Sequence, residues 1–581
     1  MAEQGQLLNS WKDIAAYLER TVRTCQRLET TMGLPVHRLD GSPKAHVFAY
    51  SRELDIWLAQ KAAERKQRRK ARRLRLGLLA AVTVVASAAA VLIGFLGGRS
   101  RGPDAWPAPE AKSVVVLPFT DLSPAPGWAY LAEGISGAVR DSLSQLRDFR
   151  IPGLASTLAV KDKMPDVRQV ARSLDVEYIL DGTVQVMGDR LRISAQLVGV
   201  GDGLPLWSEP YDMRIGDALG IQDDIAWSIV SCLKAKLRPR EETALHRRPT
   251  EDPEAYRIYL RGRWLLRRPD EGAPDEALSQ FEEALRRDKD FALARAGVAA
   301  FYLDKAAPSL TPLVQVDPRA LPAEMSEKAG PALASALAAD PGLAEAHALN
   351  AAAQFWFEWN WGAAGKEFRR ALELRPGDAQ TRGAYAIYLL SMKRLKEARR
   401  EIQLALVADP LSPLLLAYSL WIDLGSGRVE EALDEFERIE RLEAASEFAC
   451  TGAALAYLRQ GDTKKAEEIL RRAWSYSGGL MGRLDLALGA CFLKRDDRRG
   501  APNPLGSIAR TRERSPISPV LIALGAAEKG DLYAAFDWLE TARRERDPQM
   551  PFVRVYAECL ELDLVRNPRF LAFLNSLGLP R

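Results

Sequence analysis

The sequence predicts a multidomain chain with a small N-terminal helical domain that carries a β-hairpin, a single transmembrane helix, an α/β domain and a long all-α repeat array. Three observations support this prediction. An apolar stretch of 21 residues, Leu76 to Leu96, follows a strongly basic run. Short apolar strands alternate with amphipathic helices after residue 112. In the second half of the chain, small and large apolar residues recur every 34 residues.

The composition excludes some classes of protein. A chain of 581 residues is long enough for several domains, and its net charge of +4 shows that the basic run is local and not a global nucleic-acid signature. Five cysteines do not make a disulfide framework, and neither they nor the four histidines have the spacing of metal ligands. The sequence therefore predicts no metal site and no cofactor.

Residues 1–60 predict a helix-turn-helix followed by a wing. A first helix begins at Trp11, after a capping Asn9 or Ser10, and a second helix covers Val22 to Thr30 after a short break. Two short strands around a Gly- and Pro-containing turn come next and would form the wing. A helix that closes the domain follows the second strand.

The second helix and the wing carry side chains that suit DNA. Arginine pairs with guanine edges or phosphate, glutamine pairs with adenine edges, and threonine contacts a thymine methyl or phosphate, while lysine binds phosphate. The candidate DNA-contacting residues are Arg23, Thr24, Gln26, Arg27 and Lys44. The motifs SWKDIAAYL, RTVRTCQRLE and GLPVHR resemble the winged helix-turn-helix domains of the MerR and excisionase class, which implies double-stranded DNA as a partner. The alternative is a helical protein-interaction module with a solvated basic face.

The apolar stretch predicts a transmembrane helix at 76–98. At 1.5 Å per residue, its length matches the hydrocarbon core of about 30 Å. The juxtamembrane segment 61–75 holds nine Lys or Arg against one Glu, so we expect a cytoplasmic N-terminus and a periplasmic C-terminal region in the bacterial inner membrane. A signal peptide or a buried core helix is the alternative. A Pro-rich linker, 99–112, follows.

Residues 113–240 predict an α/β domain. A β-branched strand, Ser113 to Phe119, precedes an amphipathic helix, and a later hairpin turns at Gly188-Asp189. The motifs VVVLPFTDLS, YLAEGISGAVRDSL and LWSEPYD resemble the amino-terminal domain of TolB and related periplasmic modules. That resemblance implies a binding or assembly role for this domain.

Residues 253–581 contain the repeat. Ala364, Ala398, Ala432 and Ala466 are 34 residues apart, and a large apolar residue stands four positions after each of them. The pattern resembles tetratricopeptide repeats, with about seven units and a final capping helix. Such repeats stack into a superhelix whose concave groove binds a protein or peptide.

An aromatic cluster, FWFEWNW, lies inside the repeat array. Its tryptophans either line the binding groove or fill the space between helices, and packing is the favoured interpretation for most of them. The candidate protein-binding residues are Trp356, Trp359 and Trp361.

The order of these parts resembles the membrane-anchored one-component transcription regulators of the CadC and ToxR kind. The resemblance implies DNA binding in the cytoplasm and sensing of a protein or peptide signal in the periplasm, and we expect two copies to pair as a homodimer. The alternative is a membrane-tethered envelope scaffold or assembly protein whose head does not bind DNA. The sequence lacks the G-x-x-x-x-G-K-[ST], G-x-S-x-G and H-E-x-x-H motifs, so it predicts no enzymatic function.

Overall fold

The computed structural model describes residues 6–38, 47–58, 111–161, 167–201, 203–217, 220–245, 248–268, 273–306, 322–477, 518–547 and 549–580. The chain divides into two compact units, Met1–Pro103 and Asp104–Arg581. The predicted basic segment 61–75, the predicted transmembrane helix 76–98 and Lys44 lie outside the described residues. Among the described ranges, no helix has both the length and the apolar character that a membrane crossing requires.

The first unit contains two helices followed by a hairpin. Its elements are β1 Leu7–Leu8, α1 Trp11–Tyr17, α2 Val22–Met32, β2 His37–Arg38, β3 Val47–Tyr50 and a helix α3 over 51–58. Ser10 and Thr21 cap α1 and α2 by accepting hydrogen bonds from backbone N–H groups of the first turn. The three strands form one antiparallel sheet in the order β1-β3-β2.

The second unit begins with a mixed sheet and helices on both of its faces. Its elements are β4 Lys112–Val116, β5 Thr120–Asp121, α4 Ala129–Leu143, β6 Phe149–Arg150, α5 Leu154–Lys161, α6 Val167–Ser173, β7 Tyr178–Met187, β8 Arg190–Gly199, β9 Pro205–Arg214, α7 Ile221–Cys232 and α8 Pro239–Leu245. The strand order is β6-β4-β7-β8-β9, with β5 also paired to β7. Strand β4 runs parallel to β6 and β7, and β7, β8 and β9 are antiparallel.

The predicted hairpin turn at Gly188-Asp189 joins β7 to β8, and Gly188 has the left-handed conformation (φ 63°) that this turn requires. Alternation along β8 buries Leu191, Ile193, Ala195 and Leu197 and leaves the residues between them exposed. The buried side of β8 belongs to the same core as residues of α4 and α7. These two helices therefore form a layer that packs on one face of the sheet.

A large all-helical part built from paired helices of the tetratricopeptide type follows. Its helices are α9 Pro253–Leu266, α10 Ala273–Arg287, α11 Ala292–Ala306, α12 Pro322–Ala339, α13 Ala344–Ala353, α14 Trp361–Leu374, α15 Ala379–Ser391, α16 Leu395–Ala408, α17 Pro413–Gly425, α18 Val429–Arg441, α19 Glu447–Gln460, α20 Thr463–Ser477, α21 Pro519–Glu528, α22 Leu532–Arg544, α23 Val553–Cys559 and α24 Pro568–Ser576. From α9 to α22, the described helices pack in consecutive pairs.

The 34-residue period reflects how the two helices of each pair pack together. Ala364, Ala398, Ala432 and Ala466 lie on the second helix of their pairs and are fully buried. Their small side chains let the two helices of a pair approach closely, and the buried large residue four positions later fills the space beside them. The repeat prediction is therefore confirmed for this part of the chain.

The sheet and the first helix pairs share one apolar core. Ile135 of α4 and Ile193 of β8 belong to the same buried cluster as Leu260 of α9 and Phe281 of α10. Polar contacts extend the junction: Arg263 pairs with Asp141 at 3.1 Å. The core is thus continuous across residues 240–253, which lie between the predicted α/β domain and the predicted repeats.

Candidate protein-interaction site

The first helices of the central pairs present one continuous face, which we call the groove face. It is marked by Trp356, Lys393, Trp421, Gly425 and Arg459, on or just after α13, α15, α17 and α19. The 34-residue period also applies here, because Trp356, Leu390, Leu424 and Leu458 are evenly spaced and buried. The groove face is the surface on which a tetratricopeptide array holds a protein element.

In this chain the groove face is occupied by residues 549–580, which we call the C-terminal segment. This segment comprises a 3-10 turn at Met550–Phe552, α23, a second 3-10 turn at Asp563–Arg566 and α24. Helix α23 packs on α15, α17 and α21. Val553 and Ala557 of α23 are fully buried, so the helix is embedded in the array.

Aromatic side chains anchor the C-terminal segment. The ring of Phe552 lies 5.3 Å from that of Trp356 and 6.0 Å from that of Phe355, measured between centroids. One helical turn later, the ring of Tyr556 meets Trp421 edge-on at 5.4 Å. Edge-to-face and tilted pairs at these distances are the favourable aromatic geometries.

Charged groups hold the C-terminal end of α23. Lys393 Nζ lies 2.6 Å from a carboxylate oxygen of Glu558, and Arg554 Nε lies 2.8 Å from the other oxygen. Arg459 donates a hydrogen bond of 2.7 Å to the backbone carbonyl of Glu558. Burial would raise the pKa of Glu558, but its bonds to Lys393 and Arg554 outweigh burial and lower that pKa. Cations at this end also complement the helix dipole.

All three candidate tryptophans pack within the chain. Trp356 faces Phe552, and Trp361 donates its indole N–H to the Leu577 carbonyl at 2.8 Å. Trp359 has a left-handed backbone conformation (φ 56°), and the Arg546 guanidinium lies 5.0 Å from its ring centroid. Sequence reasoning did not identify Lys393, Trp421 or Arg459. Their separations in sequence from the nearest repeat alanine place them on or just after the first helix of a pair. The repeat register in the sequence therefore contained the information that could have found them.

Four of the candidate DNA-contacting residues, Arg23, Thr24, Gln26 and Arg27, lie on one side of α2. Arg23, Gln26 and Arg27 are exposed, and Thr24 is half-buried with its hydroxyl 2.8 Å from that of Thr21. On the opposite side of α2, Cys25 is fully buried in the core of the unit.

A cleft of about 770 Å³ lies at the junction between the α/β part and the repeats. Charges of both signs line it, including the Asp141–Arg263 pair and the Arg370–Glu373 pair. Burial would raise the pKa of Asp141, but Arg263 and other nearby arginines lower it to about 2. Within the described ranges, no group of three or more His, Cys, Asp or Glu side chains is placed to hold a metal ion.

Comparison with known proteins gives partial matches. No protein-family model matches the chain. A stretch of 195 residues is 34% identical to a protein of Rhizobium meliloti (strain 1021) named "Putative adenylate cyclase 3". The match covers 34% of this chain and 33% of that protein, so the chain spans about a third of the length of this relative. The prediction that the chain has no enzymatic function is contradicted by this match, because the relative carries the name of an enzyme.

Several solved structures are similar to the chain, including the following two. Pseudomonas aeruginosa PilF is 21% identical, with a TM-score of 0.29, over 38% of this chain and 95% of PilF. A tetratricopeptide repeat protein from Parabacteroides merdae is 12% identical, with a TM-score of 0.34, over 48% of this chain and 98% of that protein.

Proposed function

We propose that this chain is a protein-interaction scaffold whose repeat array binds a helical protein segment on its groove face. The observation that supports this function most strongly is that the groove face already holds a helical segment, the chain's own C-terminal segment. Aromatic contacts at Trp356 and Trp421 and charged contacts at Lys393 and Arg459 come from four successive helix pairs. This arrangement is the helix-in-groove mode of recognition.

The proposed scaffold is compatible with the transmembrane helix that the sequence predicts. We propose that the predicted anchor helix, 76–98, tethers the scaffold to the bacterial inner membrane and places residues 111–580 in the periplasm. The α/β part would then be a rigid base for the repeats, since it shares a core with the first helix pairs. This proposal corresponds to an envelope scaffold or assembly protein.

The test is affinity capture from the cells that encode this chain, with a tagged full chain that carries Phe552→Ala and Tyr556→Ala so that its own segment does not compete at Lys393, quantified by mass spectrometry. Lys393→Glu reverses a groove-face charge, and Lys396→Glu reverses an exposed charge on α16. Loss of a paired charge at an interface costs about 2–5 kcal/mol, which is more than tenfold in affinity. We expect a defined set of proteins to be depleted by Lys393→Glu and retained by Lys396→Glu. Capture that is the same for both variants contradicts the proposal.

A second candidate function is DNA binding by the first unit, which would make the chain a membrane-anchored transcription regulator. The supporting observation is that α2 exposes Arg23, Gln26 and Arg27 while Cys25 on its other side packs into a core shared with Ala49 of the hairpin. A helix held in this way against a hairpin can enter a major groove with its polar side.

DNA binding is tested with the full chain and a library of duplexes. Arg23→Ala should weaken binding to the preferred sequence by about 1–3 kcal/mol and relax the preference. Lys12→Ala, an exposed change on α1, is the matched control and should have a smaller effect. A full chain with no salt-dependent affinity for duplex DNA rules this function out.

A further inference from the structure

We infer that the C-terminal segment is an internal ligand that occupies the groove face in place of a partner protein. The inference rests on the proposed function and names the partner's chemistry. The partner is a protein that presents an amphipathic helix with two aromatic side chains four residues apart and a carboxylate two residues after the second. This is the pattern of Phe552, Tyr556 and Glu558.

The position of the C-terminal segment distinguishes it from an ordinary cap. A helix that only ended the array would pack on its last pair, α21 and α22. Helix α23 packs on α21 but also reaches back to α15 and α17, and Lys393 and Glu558 are 165 residues apart in sequence. Trp361 and Leu577 are 216 residues apart. The segment therefore follows the groove face across several pairs, as a bound partner would.

The charged contacts of the C-terminal segment are complementary and reachable by solvent. The groove face supplies Lys393 and Arg459, and the segment supplies the carboxylate and the backbone carbonyl of Glu558. The side chains of Lys393 and Glu558 remain about a quarter exposed. A partner carboxylate can thus replace Glu558 at the rim while its aromatic side chains replace those of Phe552 and Tyr556.

The segment leaves the array from a fixed point. Asp547 accepts hydrogen bonds from the Ser518 hydroxyl at 2.6 Å, the Val520 N–H at 3.0 Å and the Gln549 N–H at 2.8 Å. Release of the segment would therefore pivot at this turn and leave the last helix pair intact. Because a short tether gives a millimolar effective concentration, the segment strongly competes with any partner in solution.

The experiment measures binding of a labelled peptide of residues 549–580 to the full chain. The double variant Phe552→Ala/Tyr556→Ala removes the internal aromatic anchors and leaves the groove face unchanged. We expect this variant to bind the peptide, and the parent chain to bind it at least about 100-fold more weakly because its own segment competes. Asn575→Ala, an exposed change in the same segment, is the matched control and should behave like the parent. A peptide carrying Tyr556→Ala should bind the double variant more weakly than the unaltered peptide.

A folded double variant that fails to bind the peptide shows that the segment is a permanent cap, and the inference is then wrong. Hydrogen exchange of the unaltered chain gives the answer if the double variant does not fold. We expect the amides of α23 and α24 to exchange faster than those of α15 and α17, because the segment opens on its own. Equal protection of all four helices overturns the inference. The proposed scaffold fails by a different result, equal capture by the Lys393→Glu and Lys396→Glu variants.

Discussion

The backbone N–H of Ser156 donates a hydrogen bond of 3.0 Å to a carboxylate oxygen of Asp409. A residue at the end of repeat helix α16 therefore caps the first turn of α5 in the α/β part, 253 residues away in sequence. The Ser156 hydroxyl in turn accepts a hydrogen bond of 2.7 Å from the Leu411 N–H. Asp409 is only 1% exposed, and burial raises the pKa of its carboxyl group.

Substitution of Asp409 should separate its hydrogen bond from its charge. Asp409→Ala removes the cap of α5 and should lower the free energy of unfolding by about 1–2 kcal/mol. Asp409→Asn keeps an oxygen for Ser156 and removes a buried charge, so it should cost less at neutral pH. Because the folded pKa is raised, protonation favours the folded parent, so the loss caused by Asp409→Asn should grow as pH falls. Urea unfolding at two pH values measures this, and equal losses for both variants would contradict it.

Asp141 predicts an acid-sensitive contribution to stability. Its folded pKa is about 2, and the unfolded value is about 3.9. The ionised carboxylate beside Arg263 therefore stabilises the fold above about pH 4 by about 2–3 kcal/mol, and this contribution is lost as pH falls from about 4 to about 2. Asp141→Asn should destabilise the chain at pH 7 and flatten the pH dependence in that window. Asp434→Asn, on the exposed side of α18, is the control. An acid-unfolding profile unchanged by Asp141→Asn would refute this assignment.

Trp361→Phe should loosen the end of the C-terminal segment. The substitution keeps an aromatic ring and removes the indole N–H that reaches the Leu577 carbonyl. The expected loss is about 1 kcal/mol of unfolding free energy, with faster amide exchange in α24. Tyr533→Phe removes a hydroxyl from a side chain that is 84% exposed and should change neither quantity. Unchanged exchange in α24 would show that this hydrogen bond does not hold the helix.

Two glycines confine the ring of Phe281. A Cβ added to Gly262 of α9 or to Gly297 of α11 would lie 2.7 Å from the same ring carbon, Cε1 of Phe281. Gly262→Ala should therefore overpack the core and cost about 1–3 kcal/mol. Gly362→Ala meets no atom within 4 Å on α14 and should stabilise the chain by about 0.4–1 kcal/mol. Thermal unfolding should show shifts of opposite sign, and two downward shifts would contradict the contrast.

Local patterns predicted the elements better than they predicted the contacts between them. The alanine period identified the helix pairs because Ala364, Ala398 and their equivalents must be small for the helices to touch. Alternation and the Gly188-Asp189 turn identified the β7–β8 hairpin. No period relates Phe552 to Trp356, so the sequence could not show that the end of the chain returns to the groove face. Asp409 likewise resembles any turn residue between repeats, and only the fold reveals its role at α5.

The sequence predicted part of the candidate site. The aromatic cluster around Trp356 was identified, but an open groove was expected, and the structure fills it with the C-terminal segment. The cations that complete the site, Lys393 and Arg459, belong to a chain rich in charged residues, where composition cannot single them out. Their role depends on Glu558, which only folding brings near them.

The core shared by the α/β part and the first helix pairs affects thermal unfolding and the tolerance of this chain to recombination. Ile193 of the sheet and Phe281 of the repeats lie in one buried cluster, so neither part can lose its packing while the other keeps it. In calorimetry of the full chain, the α/β part and the first helix pairs should therefore unfold in one shared transition. Recombination that separated the parts between residues 240 and 253 would leave two apolar half-cores exposed to water. We therefore expect the α/β part and the first helix pairs to fold only when they are kept together in one chain.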